Sequence, residues 1–172
     1  MASLSKYHPF CSKRKRPFYF YETALLKATL QKLKAAAGDY HVHYAMKANT
    51  DDVLLKIIKD AGLGADCVSS NEIKKAVECN FSNEKIVFAG VGKSDDEINY
   101  ALQQNIFCFN CESIPEMEVM NELAKAQNKI ASIALRINPN VDAHTHHYIT
   151  TGHEEHKFGK NVKEMGEGTE GL

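Results

Sequence analysis

The run Tyr44-Ala45-Met46-Lys47-Ala48-Asn49 puts a primary amine where a strand gives way to a helix. Read as a strand from His41 to Lys47, it sends Val42, Tyr44 and Met46 to one face and His43, Ala45 and Lys47 to the other, because strand side chains alternate. The first face suits packing under helices. The second, with small Ala45 just below Lys47, leaves the amine projecting at the carboxyl end of the strand, the end that bears the active site in (β/α)₈ barrels. A lysine desolvated there loses part of its preference for the charged form, and its neutral amine can attack a carbonyl to form a Schiff base. Spacing alone also fits a lysine that ends a strand and points to water.

Asp66, within Gly62-Leu63-Gly64-Ala65-Asp66-Cys67-Val68, lies on the next expected strand. An inward carboxylate beside Lys47 would hold the amine protonated or take its proton; the plain alternatives are a turn aspartate at 66 and a helix-start glutamate at Glu72. On the fifth expected strand, parity groups Ser132, Ala134, Arg136 and Asn138, with Arg136 near the carboxyl end. An inward arginine implies a carboxylate or phosphate partner, whereas a shifted register would turn it outward. Cys108 and Cys111 form a C-x-x-C, but residues three apart on a strand face opposite sides, which argues against a redox or zinc pair. The histidines at 144, 146, 147, 153 and 156 show no helical ligand spacing, so no metal is expected.

These residues need a scaffold, and the periodicity supplies one. Strands are expected near 41–47, 64–69, 85–91, 106–112 and 130–138, with helices near 51–61, 71–79, 94–104 and 114–128. Such alternation means parallel strands covered by helices. Asp51-Asp52 and Ser94-Asp95-Asp96-Glu97 open two of the helices with carboxylates where the helix dipole favours them. Upstream, Phe18 to Tyr21 reads as a strand, and Leu26, Leu30, Leu33 and Ala37 line a helix that stops at Gly38. The basic run Ser12 to Arg16 fits a solvated terminal segment.

The fold class is therefore α/β, the amino-terminal part of a (β/α)₈ TIM-like barrel, incomplete at about five strands where a closed barrel takes about 250 residues. Three segments are expected: 1–38, an amino-terminal strand and helix; 39–159, the partial barrel; and 160–172, a polar, glycine-rich tail without fixed structure. A net charge of −1 over 172 residues gives no general attraction to nucleic acid. No apolar leader core and no run of about 18 apolar residues is present, which leaves membrane association without support and makes a cytoplasmic protein the default. Five scattered cysteines suit a reducing compartment.

From Tyr44 to Gly62, with Leu54, Leu55 and Ile58 at helical spacing, the chain resembles the pyridoxal-phosphate attachment signature of the ornithine/diaminopimelate/arginine decarboxylase family, the fold type III group. That signature runs aromatic, small, any residue, Lys, small, Asn, then spaced aliphatics and glycine, and every position is filled. Asp66 and Glu72 match acidic residues of the family, although Ser70-Asn71 stands where many relatives have two glycines. Leu135-Arg136-Ile137-Asn138-Pro139 is similar to the family run whose arginine lies on the cofactor side of the active site. Asn138-Pro139, Asp142, Thr145-His146, Tyr148-Ile149, Thr151-Gly152 and Lys157-Phe158-Gly159 follow in the order that resembles the diaminopimelate branch.

The resemblance spans Pro17 to Gly159. It implies a barrel that binds pyridoxal 5'-phosphate, with Lys47 holding the cofactor and Asp66 and Arg136 beside it as catalytic and cofactor-binding residues. For the parent enzyme it implies decarboxylation of meso-2,6-diaminopimelate to L-lysine, an amino-acid substrate, and a homodimer whose active sites are completed across the interface. Open alternatives are a carboxynorspermidine, ornithine or arginine decarboxylase, a racemase on the same barrel, or a non-catalytic fragment. With half a barrel the chain alone is expected to be inactive, and in relatives its first strand joins a carboxyl-terminal β-domain.

Overall fold

Five strands lie side by side in chain order and all run parallel: β1 His43–Ala45, β2 Gly64–Cys67, β3 Ile86–Phe88, β4 Cys108–Cys111 and β5 Ile133–Leu135. The computed structural model describes residues 18–138 and the two-residue strand Lys160–Asn161. Helix α1, Thr23–Ala37, precedes the sheet. The crossovers are α2 Asp52–Asp60, α3 Ser70–Glu78, α4 Asp95–Gln104 and α5 Ile114–Ala126. Sequential order with a helix after each of the first four strands is the winding of a (β/α)₈ barrel, here through five strands.

Each crossover helix starts with a side chain that takes up otherwise unpaired backbone N–H groups. Asp51 accepts from Val53 and Leu54 at 3.0 and 3.1 Å, and Ser69 accepts from Glu72 at 3.3 Å. Ser94 and Glu97 form a reciprocal capping box, and Ser113 accepts from Glu116 at 3.4 Å. Three helices end on asparagines in the left-handed region, Asn80, Asn105 and Asn128, doing what glycine more often does.

The core lies between sheet and helices. Ala65, Cys67, Ile86, Phe88, Phe109 and Cys111 face Leu55, Ile58, Ile73, Ile98 and Met120, all in one buried cluster. Phe88 and Phe109 meet at 6.1 Å between ring centroids, and burying each ring contributes about 2–3 kcal/mol. The register aligns the opposite face as a row: Ala45 pairs with Asp66, Asp66 with Val87, and Val87 with Cys108. One row lower, His43 pairs with Gly64. A Cβ on residue 64 would overlap both the His43 ring and the Lys85 carbonyl, so glycine is required there by close approach.

Three sequence expectations are corrected. The first strand ends at Ala45 instead of reaching Lys47, and residues 46–48 form a 3₁₀ turn. The turn keeps the expected parity, because Met46 is driven fully into the core while Lys47 stays exposed. Residues 18–22 form no strand: none of the described strands pairs with them, and the Tyr21 hydroxyl is held by Asn49. The fifth strand is split at Arg136. Its ladder ends with the Arg136 N–H on the Cys111 carbonyl, because β4 stops there and Glu112 turns toward α5. Beyond it β6, Ile137–Asn138, pairs in parallel with β7, Lys160–Asn161, within the stretch expected to be a structureless tail. The remainder of that tail, the basic run at 12–16 and the histidine-rich stretch at 140–159 lie outside the described residues.

Candidate active site

Lys47 sits in the middle of the 3₁₀ turn Met46–Ala48, directly after β1. Two neighbours of the same motif hold that turn. The Tyr44 hydroxyl donates to the Asn49 carbonyl at 3.2 Å, closing the turn from below. Asn49 then donates from Nδ2 to the Tyr21 hydroxyl at 2.7 Å and accepts the Asp51 N–H on Oδ1 at 2.9 Å. The aromatic and the asparagine at the two ends of the motif thus fix the backbone that carries the lysine.

Asp66 lies on β2 level with Ala45, next to this turn. It is half-buried, and its Oδ1 is enclosed without a hydrogen-bond partner among the described residues. Burial raises its carboxyl pKa, while the positive fields of Lys47 and His43 act in the opposite direction. His43 was not among the residues expected to take part, although it shares strand parity with Lys47. Its Nδ1 is likewise enclosed and unpartnered among the described residues, and its ring stacks against Phe107 at 6.4 Å. Lys47, Asp66 and His43 therefore form one electrostatic neighbourhood on the face turned away from the helices.

Arg136 stands at the other edge of the sheet, immediately after β5. Leu135 and Ala131 pack against the helix-side core, so by alternation Arg136 leaves the opposite face. Its Nη1 donates to Glu112 Oε1 at 2.8 Å, and its side chain is 39% exposed. The sheet thus brings Lys47 and Asp66 together and keeps Arg136 apart from them, on the same face by parity.

Other polar residues near the strand ends are spent on structure. Glu72 accepts the Val68 N–H at 2.8 Å, which is the helix-start role. Ser70, where a glycine was noted in relatives, donates its N–H to Glu97 at 3.0 Å. Cys67 and Cys111 are buried thiols whose pKa values burial pushes up to about 12 and about 11, which leaves them protonated and poor nucleophiles. Cys111 belongs to the helix-side cluster and Cys108 does not, as the strand alternation required. Among the described residues no three His, Cys, Asp or Glu side chains converge as a metal would need, and no helix is long and apolar enough to cross a membrane.

An exposed amine at a strand end and a half-buried carboxylate beside it form a pair that suits an aldehyde, and the arginine stands across the sheet from them. Residues 23–171 match the family described as pyridoxal-dependent decarboxylase, pyridoxal binding domain. The chain belongs to this family. It is 57% identical over 152 residues to the diaminopimelate decarboxylase of Bacteroides thetaiotaomicron, a match that covers 87% of the chain and 39% of that protein. The structure of Helicobacter pylori diaminopimelate decarboxylase complexed with L-lysine superposes with a TM-score of 0.86 at 40% identity, covering 92% of the chain and 41% of that structure. The arginine decarboxylase of Paramecium bursaria Chlorella virus, bound to agmatine, gives a TM-score of 0.78 at 24% identity over 93% of the chain and 41% of that structure, which shows a common fold. The chain spans about two fifths of the length of these relatives. The family's own description makes pyridoxal phosphate the cofactor, and the residues present fit it: Asp66 Oδ1 is a buried acceptor lacking a donor among the described residues, and Lys47 is the adjoining amine.

Proposed function

We propose that the chain forms the cofactor-binding half-barrel of a decarboxylase that converts meso-2,6-diaminopimelate to L-lysine and carbon dioxide. The observation that carries this reading is the pairing of an exposed lysine, clamped on a strand-end turn, with a half-buried carboxylate one strand away. Identity of 57% to a diaminopimelate decarboxylase supports this substrate over arginine, for which the likeness is one of fold.

In this reading Lys47 is the residue that would hold pyridoxal 5'-phosphate, through its side-chain amine. When bound, the cofactor supplies an electron sink for the pair left on the substrate's α-carbon as carbon dioxide departs. Asp66 takes a proton from Lys47 Nζ and returns it, a role that its raised pKa favours. The Tyr44–Asn49 bond holds the turn that carries Lys47 beside Asp66. Arg136, held through one nitrogen by Glu112, turns its remaining N–H groups toward an anionic group of cofactor or substrate. Assembly as a homodimer and a cytoplasmic location complete the proposal. Four buried free thiols, Cys67, Cys79, Cys108 and Cys111, support a reducing compartment.

The test is a graft. Residues 23–159 replace the matching stretch of the Bacteroides enzyme, and carbon dioxide release is measured with meso-diaminopimelate, ornithine and arginine. Release from diaminopimelate alone, abolished by Lys47→Ala, is the expected result. Release from ornithine or arginine would move the chain to another branch, and a folded graft silent on all three would support the non-catalytic reading.

A further inference from the structure

Lys93 is a lysine 1% exposed in the loop after β3, and the chemistry proposed above makes no use of it. Its Nζ donates to the carbonyls of Gly90 and Asn110, both at 2.7 Å, and to Glu116 Oε1 at 2.5 Å. Those three bonds exhaust the donors of an ammonium. The other oxygen of Glu116, Oε2, accepts the backbone N–H of Glu112 at 2.7 Å. Glu112 is itself 8% exposed and holds Arg136 Nη1 on Oε1 at 2.8 Å, with Oε2 enclosed and unpartnered among the described residues. An unbroken series of polar contacts therefore joins the β3 loop, the start of α5, the end of β4 and the guanidinium after β5.

Charge makes the series directional. Glu112 and Glu116 sit within one turn of chain, and a buried carboxylate without a cationic partner is costly. With Lys93 satisfying Glu116, that carboxylate stays placed to hold the Glu112 N–H, and Glu112 in turn engages Arg136 through a single oxygen. We infer that Lys93 and Glu116 are positioning residues that set Arg136 at the carboxyl end of the sheet, with its free N–H groups directed to an anion. The inference rests on the reading of Arg136 given above.

The experiment reads the arginine itself. The 172-residue chain is treated with phenylglyoxal, which modifies guanidinium groups, and the rate at Arg136 is followed by peptide mass mapping, with Arg14 and Arg16 as references and circular dichroism to verify folding. Lys93→Met should raise the Arg136 rate about fivefold, the factor that the net worth of one hydrogen bond supplies. Glu116→Gln should do the same, because its amide offers one oxygen where two acceptors were needed. If Lys93→Met fails to fold, Glu116→Gln decides alone by the same rise. In the double variant Lys93→Met/Glu116→Gln the glutamine oxygen can again accept the Glu112 N–H, and the rate should return toward that of the unaltered chain. An unchanged Arg136 rate in either folded single variant, or an equal rise in the double variant, would overturn the inference. No cofactor or substrate enters this assay, so its failure and a failure of the decarboxylase reading are separate results.

Discussion

The Tyr44 hydroxyl donates to the Asn49 carbonyl at 3.2 Å across the turn that carries Lys47. Burial, with the field of Tyr21 adding to it, raises the Tyr44 pKa and keeps this donor protonated at neutral pH. Asn49 extends the clamp by its bonds to Tyr21 and Asp51. A motif read in the sequence as an attachment site is thus also a mechanical unit.

Asn49→Ala removes the side-chain half of that clamp. Capture of pyridoxal phosphate by Lys47, read as borohydride-fixed label, should fall about tenfold, the equivalent of one to two hydrogen bonds. Tyr44→Phe loses one bond and should fall less. Label unchanged in a folded Asn49→Ala would detach the clamp from function.

Asp66 should leave a pH signature in stability. A carboxyl whose folded pKa is raised favours the folded state at low pH, and that contribution is lost as pH climbs from the ordinary value of 3.8 through the folded pKa. Asp66→Asn removes the term. Its melting temperature relative to the unaltered chain should therefore rise across that window and level off above it. A difference that stays flat with pH would mean that Asp66 titrates normally.

Gly64→Ala should destabilise by about 2–3 kcal/mol, since the new methyl meets the Lys85 backbone as well as the His43 ring. Adding His43→Ala relieves only one of the two collisions, so urea unfolding should show partial recovery. Full recovery would mean that the Lys85 carbonyl yields freely.

Much of this was legible in the sequence, because each relevant signal was local. The periodicities gave five strands and four crossover helices, and parity put Met46 in the core with Lys47 opposite it. What was not legible depended on partners remote in sequence. A strand at 18–21 needs a ladder, and none of the described strands offers one, so propensity failed there. The 3₁₀ turn at 46–48 follows from the Asn49 bonds, which reach back 28 residues to Tyr21. Lys93 went unremarked although it stands just past a strand end, as Lys47 does. Its burial arises from carbonyls and a carboxylate up to 23 residues away.

Whether Lys47 is the cofactor lysine is decided by incubating the 172-residue chain with pyridoxal 5'-phosphate, reducing with borohydride and mapping the labelled peptide. Label should concentrate on Lys47, be lost in Lys47→Ala and be weakened in Asn49→Ala. Label spread over other lysines, or retained in full by Lys47→Ala, would contradict it.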